Sequence, residues 1–275
     1  MGEFELPQGF RLSQRALEDY TTCPRRFYLR YLRHLHWPTP PQDEEAHLAR
    51  MQRGARFHRL VQRHLLGLPA DLLRREAESD PDLARWWGAY LRQAPPELTE
   101  GRRYVEQLLT APFDGLLLVA RYDLILIAEG SALIIDWKTA AHAADLAELR
   151  RHWQTRLYRY LLARAGAVLN GGQPIPPERI TLLYWYAAVP VKRRLPYSRA
   201  DFERDEADLH RLVAELTAAG DEAAFPPTDD ASRCRFCPYR SYCFGTAPQG
   251  AQGVGEEDEG DWEAWDFDQI AEIAY

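Results

Sequence analysis

The stretch Leu116–Lys138, LLLVARYDLILIAEGSALIIDWK, decides the reading of this chain. Two apolar runs flank Ala128, Glu129, Gly130 and Ser131, a turn signal, so the stretch reads as a β-hairpin. With the turn centred on Glu129 and Gly130, directly opposed residues have numbers that sum to 259, and Asp123 faces Asp136. Side chains alternate faces along a strand, so Lys138 points the same way as Asp136. Two carboxylates and an amine then cluster on one face among residues that are otherwise apolar. Like charges directly across a sheet repel, and burying them without partners is costly. A divalent cation gives such an arrangement a purpose. Hard oxygen ligands suit magnesium or manganese, which keeps several waters and can grip a phosphate oxygen. The lysine can then orient or help deprotonate an attacking water. The other reading of these residues is a buried Asp136–Lys138 ion pair with Asp123 near a turn, because a one-residue slip of register separates the carboxylates.

Outward from the hairpin, Tyr104–Leu109 (YVEQLL) reads as a further strand. Before it, helical patterns cover Ser13–Leu35, with Ser13 as cap and a break at Pro24, then His47–Leu66 and Pro81–Leu91. After it come a long helix from Asp145 to Ala165, a strand from Arg179 to Val189 and a helix from Asp201 to Ala219. This order predicts an α/β or α+β core wrapped by N-terminal helices. No internal repeat is apparent.

The 275 residues, 46% of them hydrophobic, suffice for one large domain or two small ones. No apolar run approaches the roughly 20 residues of a membrane helix. The start, MGEFELPQGF, has no basic region followed by an apolar stretch, so the expectation is a cytoplasmic protein with no membrane partner. The net charge of -7 is unevenly placed: Glu256–Tyr275 holds nine acids and no Lys or Arg, which leaves residues 1–255 at +2. Lysine occurs only twice, at Lys138 and Lys192. Chemistry that needs an amine has two positions to use.

Cysteine occurs four times, as Cys23 and as Cys234, Cys237 and Cys243 in a C-x2-C-x5-C pattern. Thiols so spaced in a cytoplasmic protein more often share a metal than form disulfides. Zinc and a [4Fe–4S] cluster both suit four thiolates, and the spacing leaves both open. Joining Cys23 to the trio would close a loop of 210 intervening residues. Arginines cluster at 25, 26, 30 and 33, and at 50, 53, 56, 59 and 63. The second series recurs every three or four residues, so it is either a stripe that follows a phosphate backbone, with Phe27, Tyr28, Tyr31 and Trp37 stacking bases, or a solvated helix face.

Asp123 followed by Asp136-Trp137-Lys138 resembles the D…DxK signature of PD-(D/E)XK nucleases, in particular the RecB-type exonuclease branch. Gly54-Ala55-Arg56-Phe57-His58 resembles the branch's GxxxH motif, and Gln154-Thr155-Arg156-Leu157-Tyr158 its QxxxY motif. Cys23-Pro24-Arg25-Arg26-Phe27-Tyr28 and Cys234-Arg235-Phe236-Cys237-Pro238-Tyr239 look like the iron-sulfur staple of AddB and of CRISPR-associated RecB-like exonucleases. Two departures stand out: Ala120-Arg121 where the family often has Gly-Arg, and Trp137 where a Tyr is usual.

The resemblance implies a restriction-endonuclease-like mixed sheet flanked by helices. It also implies an N-terminal helical region stapled to the C-terminus by the four cysteines, with [4Fe–4S] preferred to Zn2+. The implied nuclease domain covers 11–244, and 245–275 is an acidic tail expected to be disordered. Asp123, Asp136 and His58 then hold Mg2+ or Mn2+ with the Trp137 carbonyl assisting. Lys138 activates or positions water, and Gln154 and Tyr158 orient the lysine or contact DNA. The implied activity is hydrolysis of DNA, as an exonuclease on single strands or ends, in repair, recombination or CRISPR-type processing. A separate helicase or repair protein is a possible partner, since no phosphate-binding loop of the GxxxxGK[ST] type is present. A non-catalytic DNA-binding or scaffold subunit of a helicase-nuclease complex is the alternative; its mark would be loss of a carboxylate or the lysine, and none is lost.

Overall fold

The structure, a computed structural model, describes residues 6, 9–35, 41–189, 191–235 and 237–245, with the side chains of 41–48 and 99 outside the description. The predicted hairpin forms in the predicted register. Strands β3 (Leu116–Ala128) and β4 (Ser131–Lys138) pair antiparallel from Ala128↔Ser131 to Leu124↔Ile135, every pair summing to 259. Glu129 (φ 48) and Gly130 (φ 72) both take the left-handed conformation of the two-residue turn that matches the twist of the strands. A second turn of this kind, Asp114 (φ 46) and Gly115 (φ 82), joins β2 (Arg102–Phe113) to β3.

The sheet is mixed, with six strands. Strand β2 pairs with one edge of β3. On the other edge, β1 (Arg11–Leu12) pairs in parallel with Leu117 and Leu118, and β4 pairs with residues 124–128. Residues 119–123 of β3 have no strand partner on that edge among the described residues. Beyond Ile135, β4 continues beside β5 (Ile180–Tyr186) in parallel, and β6 (Lys192–Pro196) pairs antiparallel with β5.

Helices cover both faces. On one side Leu118, Tyr122, Ile125, Ile134 and Leu182 pack against α1 (Gln14–Thr22), α7 (Trp153–Ala165) and α8 (Arg199–Ala218). On the other, Leu124, Leu126, Ile135, Trp137 and Trp185 pack against α3 (Pro41–Leu65), α4 (Ala70–Ala77) and α5 (Pro81–Gln93). The alternation of β3 loses phase at Asp123, because Tyr122 and Ile125 face the same core while Leu124 faces the other. Strand β2 loses phase with it: Glu106, which the register sets opposite Asp123, has φ 53 and makes no ladder pair.

Elsewhere the elements depart from expectation in three places. Helix α4 and strand β6 were not among the expected elements. The helix expected over Asp145–Ala165 is broken into α6 (Leu146–Arg151) and α7, because His152 is extended (φ -63, ψ 137) and the Trp153 N–H donates to Glu18 Oε2 of α1 at 3.2 Å. Phe27 and Tyr28 are not available to stack bases: after α2 (Pro24–Phe27) and a turn of π-helix (Tyr28–Leu32), both rings are buried against Phe225. Trp37 and the acidic tail from 246 onward lie outside the described residues. No helix among the described residues is long and apolar enough to cross a membrane.

Candidate active site

The β3–β4 ladder stops one residue short of Asp123 and Asp136, so the two carboxylates lie where the strands part. Both are 4% exposed. Asp123 Oδ2 accepts the backbone N–H of Trp137 at 2.8 Å, which ties the parting strands together, and Asp123 Oδ1 is 3.3 Å from His58 Nδ1. His58 reaches it because α3 comes in close: a Cβ on Gly54, one turn earlier, would lie 3.2 Å from Thr139 Oγ1. The GxxxH spacing therefore has a steric reason, the glycine admitting the helix and the histidine using the approach.

Asp136 and Lys138 are served from the opposite face. Lys138 Nζ is 3.1 Å from Asp136 Oδ2 and donates to Gln154 Oε1 at 3.0 Å. Gln154 Nε2 donates to Asp136 Oδ1 at 3.1 Å and to Tyr158 Oη at 3.4 Å, one helical turn along α7. Tyr158 is buried, its ring centroid 4.7 Å from that of Tyr122. The expectation of one shared sheet face is thus corrected. The phase slip at Asp123 leaves His58 and Asp123 linked through α3, and Asp136, Lys138, Gln154 and Tyr158 linked through α7, with the two groups meeting at the strand opening. The Trp137 indole contributes to the core instead, packed edge-on against Tyr90 and Trp185.

Burial sets the electrostatics and the neighbours then divide the outcome. Burial pushes Asp136 up to about 6, the charge of Asp123 adding to it while Lys138 and His58 oppose it. Asp123 is also driven up by burial, but His58, the Trp137 N–H and Lys138 outweigh that and hold it below the usual carboxylate range. Burial works against a charged His58, yet Asp123, Asp136 and Glu106 push it up to about 9. An imidazolium thus offsets the surplus negative charge. Glu106 belongs to the same cluster. Its carboxylate takes Arg121 Nε and Nη2, both at 2.8 Å, and burial with the charge of Asp123 pushes it up to about 7. The sequence held only a hint of Glu106, its place on the preceding strand. Tyr184 is a second neighbour without a sequence signal, its hydroxyl donating to Gln154 Oε1 at 3.3 Å.

A divalent cation fits this donor set. Asp136 Oδ2 is buried with the Lys138 ammonium 3.1 Å away, two carboxylates supply hard oxygen ligands of the kind magnesium and manganese prefer, and His58, once it has lost its proton, adds a nitrogen ligand. The cysteines gather at another corner. Cys23, Cys234, Cys237 and Cys243 are free thiols lining one small cavity with Arg25, Arg26 and Arg240. Burial pushes Cys234, Cys237 and Cys243 up, charge on Cys23 adds to each shift, and the three arginines oppose it. Four thiols without a disulfide at a cation-lined cavity fit a thiolate-held group in identity and location. Among the described residues, no three His, Cys, Asp or Glu side chains are arranged as an assembled metal shell at either place.

The expected basic stripe is largely used up within the chain. Arg53 pairs with Asp80 and Asp82 at 2.9 and 3.1 Å, Arg63 with Glu76 at 2.8 Å, and Arg56 with Ser79 and the Glu76 carbonyl. Arg50 and Arg59 are exposed. In the first cluster Arg26 and Arg30 pair with Asp19 at 2.7 and 2.8 Å, and Arg25 pairs with Glu222.

A mixed sheet with two carboxylates and a lysine at a strand opening, flanked by helices, is the frame of a PD-(D/E)XK enzyme. The chain belongs to the PD-(D/E)XK nuclease superfamily, whose family model it matches over residues 11–244, and nucleases of this superfamily are metal-dependent hydrolases. Among solved structures, the chain is similar to a protein called "Putative exonuclease" from Eubacterium rectale. They are 8% identical with a TM-score of 0.49, over 82% of this chain and 85% of that one. It is also similar to the protein SSO0001, with 14% identity and a TM-score of 0.41 over 88% of each chain. No curated protein matches the chain.

Proposed function

We propose that the chain is a divalent-cation-dependent DNA nuclease of the RecB type, an exonuclease on single strands or strand ends. Its setting is DNA repair, recombination or CRISPR-type processing, where a separate helicase would supply any unwinding. In this reading residues 11–244 form the nuclease domain, the tail from 245 lies outside it, and Cys23, Cys234, Cys237 and Cys243 hold a [4Fe–4S] cluster rather than Zn2+.

The observation that carries the reading is the bridge by Gln154 from Lys138 to Asp136, beside the Asp123–His58 contact. It joins three separately spaced motifs in one opening. Asp123, Asp136, His58 and the Trp137 carbonyl would hold the cation, His58 giving up the proton it otherwise carries, and the bound cation would supply Lewis-acid stabilisation of phosphoryl charge. Hydrolysis adds a water oxygen to phosphorus and breaks one ester P–O bond, so a proton leaves the water and the departing oxygen gains one. Lys138, held from both sides, positions or deprotonates that water. Gln154 keeps the amine aimed, and Tyr158 fixes the amide.

Linear and circular single-stranded DNA, incubated with Mg2+ or Mn2+, test the exonuclease assignment. The linear strand is expected to shorten to nucleotides or short oligonucleotides while the circle stays closed. Cutting of the circle at a comparable rate would replace the exonuclease by an endonuclease.

A further inference from the structure

We infer that Tyr184 is a positioning residue for Lys138 and Gln154, an inference that rests on the nuclease reading above. Tyr184 lies on β5 in parallel register with Asp136 and is 1% exposed. Its hydroxyl donates to Gln154 Oε1 at 3.3 Å and is 2.8 Å from Thr155 Oγ1. Its ring lies under the amine, with Lys138 Nζ 5.3 Å from the ring centroid.

These contacts matter because an amide has two unlike ends. Gln154 presents its carbonyl to an amine and its NH2 to a carboxylate. Turned over, it would set donor against donor and acceptor against acceptor. Lys138 alone does not fix the orientation, because an amine on a flexible stem that moves toward a water or a phosphate draws away from Gln154. Tyr184 keeps the carbonyl end occupied during that exchange. Its own proton being committed to Gln154, its oxygen takes the Thr155 hydroxyl proton. Thr155 is itself fixed in α7, where its carbonyl accepts Arg159 Nε at 2.9 Å. The ring adds a cation–π floor that keeps the amine over the opening.

Tyr184→Phe removes the hydroxyl and keeps the ring and the core volume. On end-labelled single-stranded DNA, kcat is expected to fall about three- to ten-fold with KM within about two-fold, the size of one lost hydrogen bond expressed in the reacting state. The melting temperature stays near that of the parent. In a Gln154→Ala background the same substitution is expected to have no further effect, which a merely structural role would not produce. Wild-type kcat in Tyr184→Phe, or an equal loss in the Gln154→Ala background, overturns the inference while leaving the nuclease reading intact. If the parent protein cleaves no DNA, the nuclease reading fails. The positioning claim is then read from the 15N-labelled side-chain amide of Gln154, which is expected to shift in Tyr184→Phe; an unmoved amide signal overturns it.

Discussion

Asp136 Oδ2, a buried carboxylate oxygen whose neighbour is the Lys138 ammonium at 3.1 Å, is where the free energy of the site is most open to change. A cation that binds only the folded chain stabilises it, by about 2.7 kcal/mol at a hundred times its Kd. Adding Mn2+ to cation-stripped protein is therefore expected to raise the melting temperature by about 5–10 °C, for a chain of this size. EDTA should reverse the rise and Asp136→Asn should abolish it, as a thermal melt will show. Gly54 gives a second prediction at this scale. Alanine improves helix propensity by about 1 kcal/mol, but its Cβ would crowd Thr139 Oγ1 at 3.2 Å and lift α3, which carries His58. Gly54→Ala is expected to leave the denaturant midpoint nearly unchanged while nuclease activity falls several-fold. Asp136 and Lys138, two apart on β4, and Gln154 and Tyr158, four apart on α7, were legible as spacings on regular elements, and Asp123 was legible from the turn that sets it opposite Asp136, though not the face it takes. Glu106 was not, since it enters the site through a left-handed backbone (φ 53) that its residue type does not announce. Tyr184 was not, since its place beside Asp136 comes from the pairing of two strands far apart in sequence.

Helix α7 positions Gln154, and α8 fixes α7. Arg156 reaches Asp205 at 2.7 Å and Asp208, with its guanidinium 4.1 Å from the Trp153 ring centroid. Asp205 is fully buried, and its second oxygen accepts the Tyr197 hydroxyl at 2.9 Å. Removing one partner of a buried ion pair leaves the other charge without compensation, at a cost of about 3–5 kcal/mol. Arg156→Ala is expected to lower the stability measured by urea unfolding by about 3 kcal/mol, and to lower activity even where the protein is fully folded, because α7 loses its hold. The hairpin register was legible because the two-residue turn at Glu129 and Gly130 sets it; both faces of these strands are apolar, so side-chain alternation alone could not. The break at His152 was not, because the Glu18 carboxylate that accepts the Trp153 N–H comes from another element. The arginine pattern of α3 was read correctly as a helical stripe. Its partners on α4 and in the segment before α5 could not be read from α3 alone, and they decide that Arg53, Arg56 and Arg63 serve the fold.

Across the whole molecule, the segment from Cys23 to Leu29 and the last described helical turn meet at the cysteine cavity, where Cys23 lies with Cys234, Cys237 and Cys243. A group bound by all four thiols would restrict the unfolded chain by a loop-closure entropy on the order of 5 kcal/mol. If the four thiols hold a [4Fe–4S] cluster, protein purified without oxygen should be brown, and Cys234→Ala should bleach it and lower its melting temperature. Colourless protein with stoichiometric zinc would assign the thiols to zinc instead. The charge division has its own consequence at this scale: the matched region 11–244 precedes all nine acids of Glu256–Tyr275, so the net charge of -7 does not describe the surface around the strand opening. The most direct measurement uses end-labelled single-stranded DNA with Mg2+ or Mn2+ and compares the parent protein with Lys138→Ala. The parent is expected to shorten the strand while Lys138→Ala leaves it intact with its fold unchanged. Strands left intact by both proteins, or degraded equally by both, would contradict the assignment of this site to DNA hydrolysis.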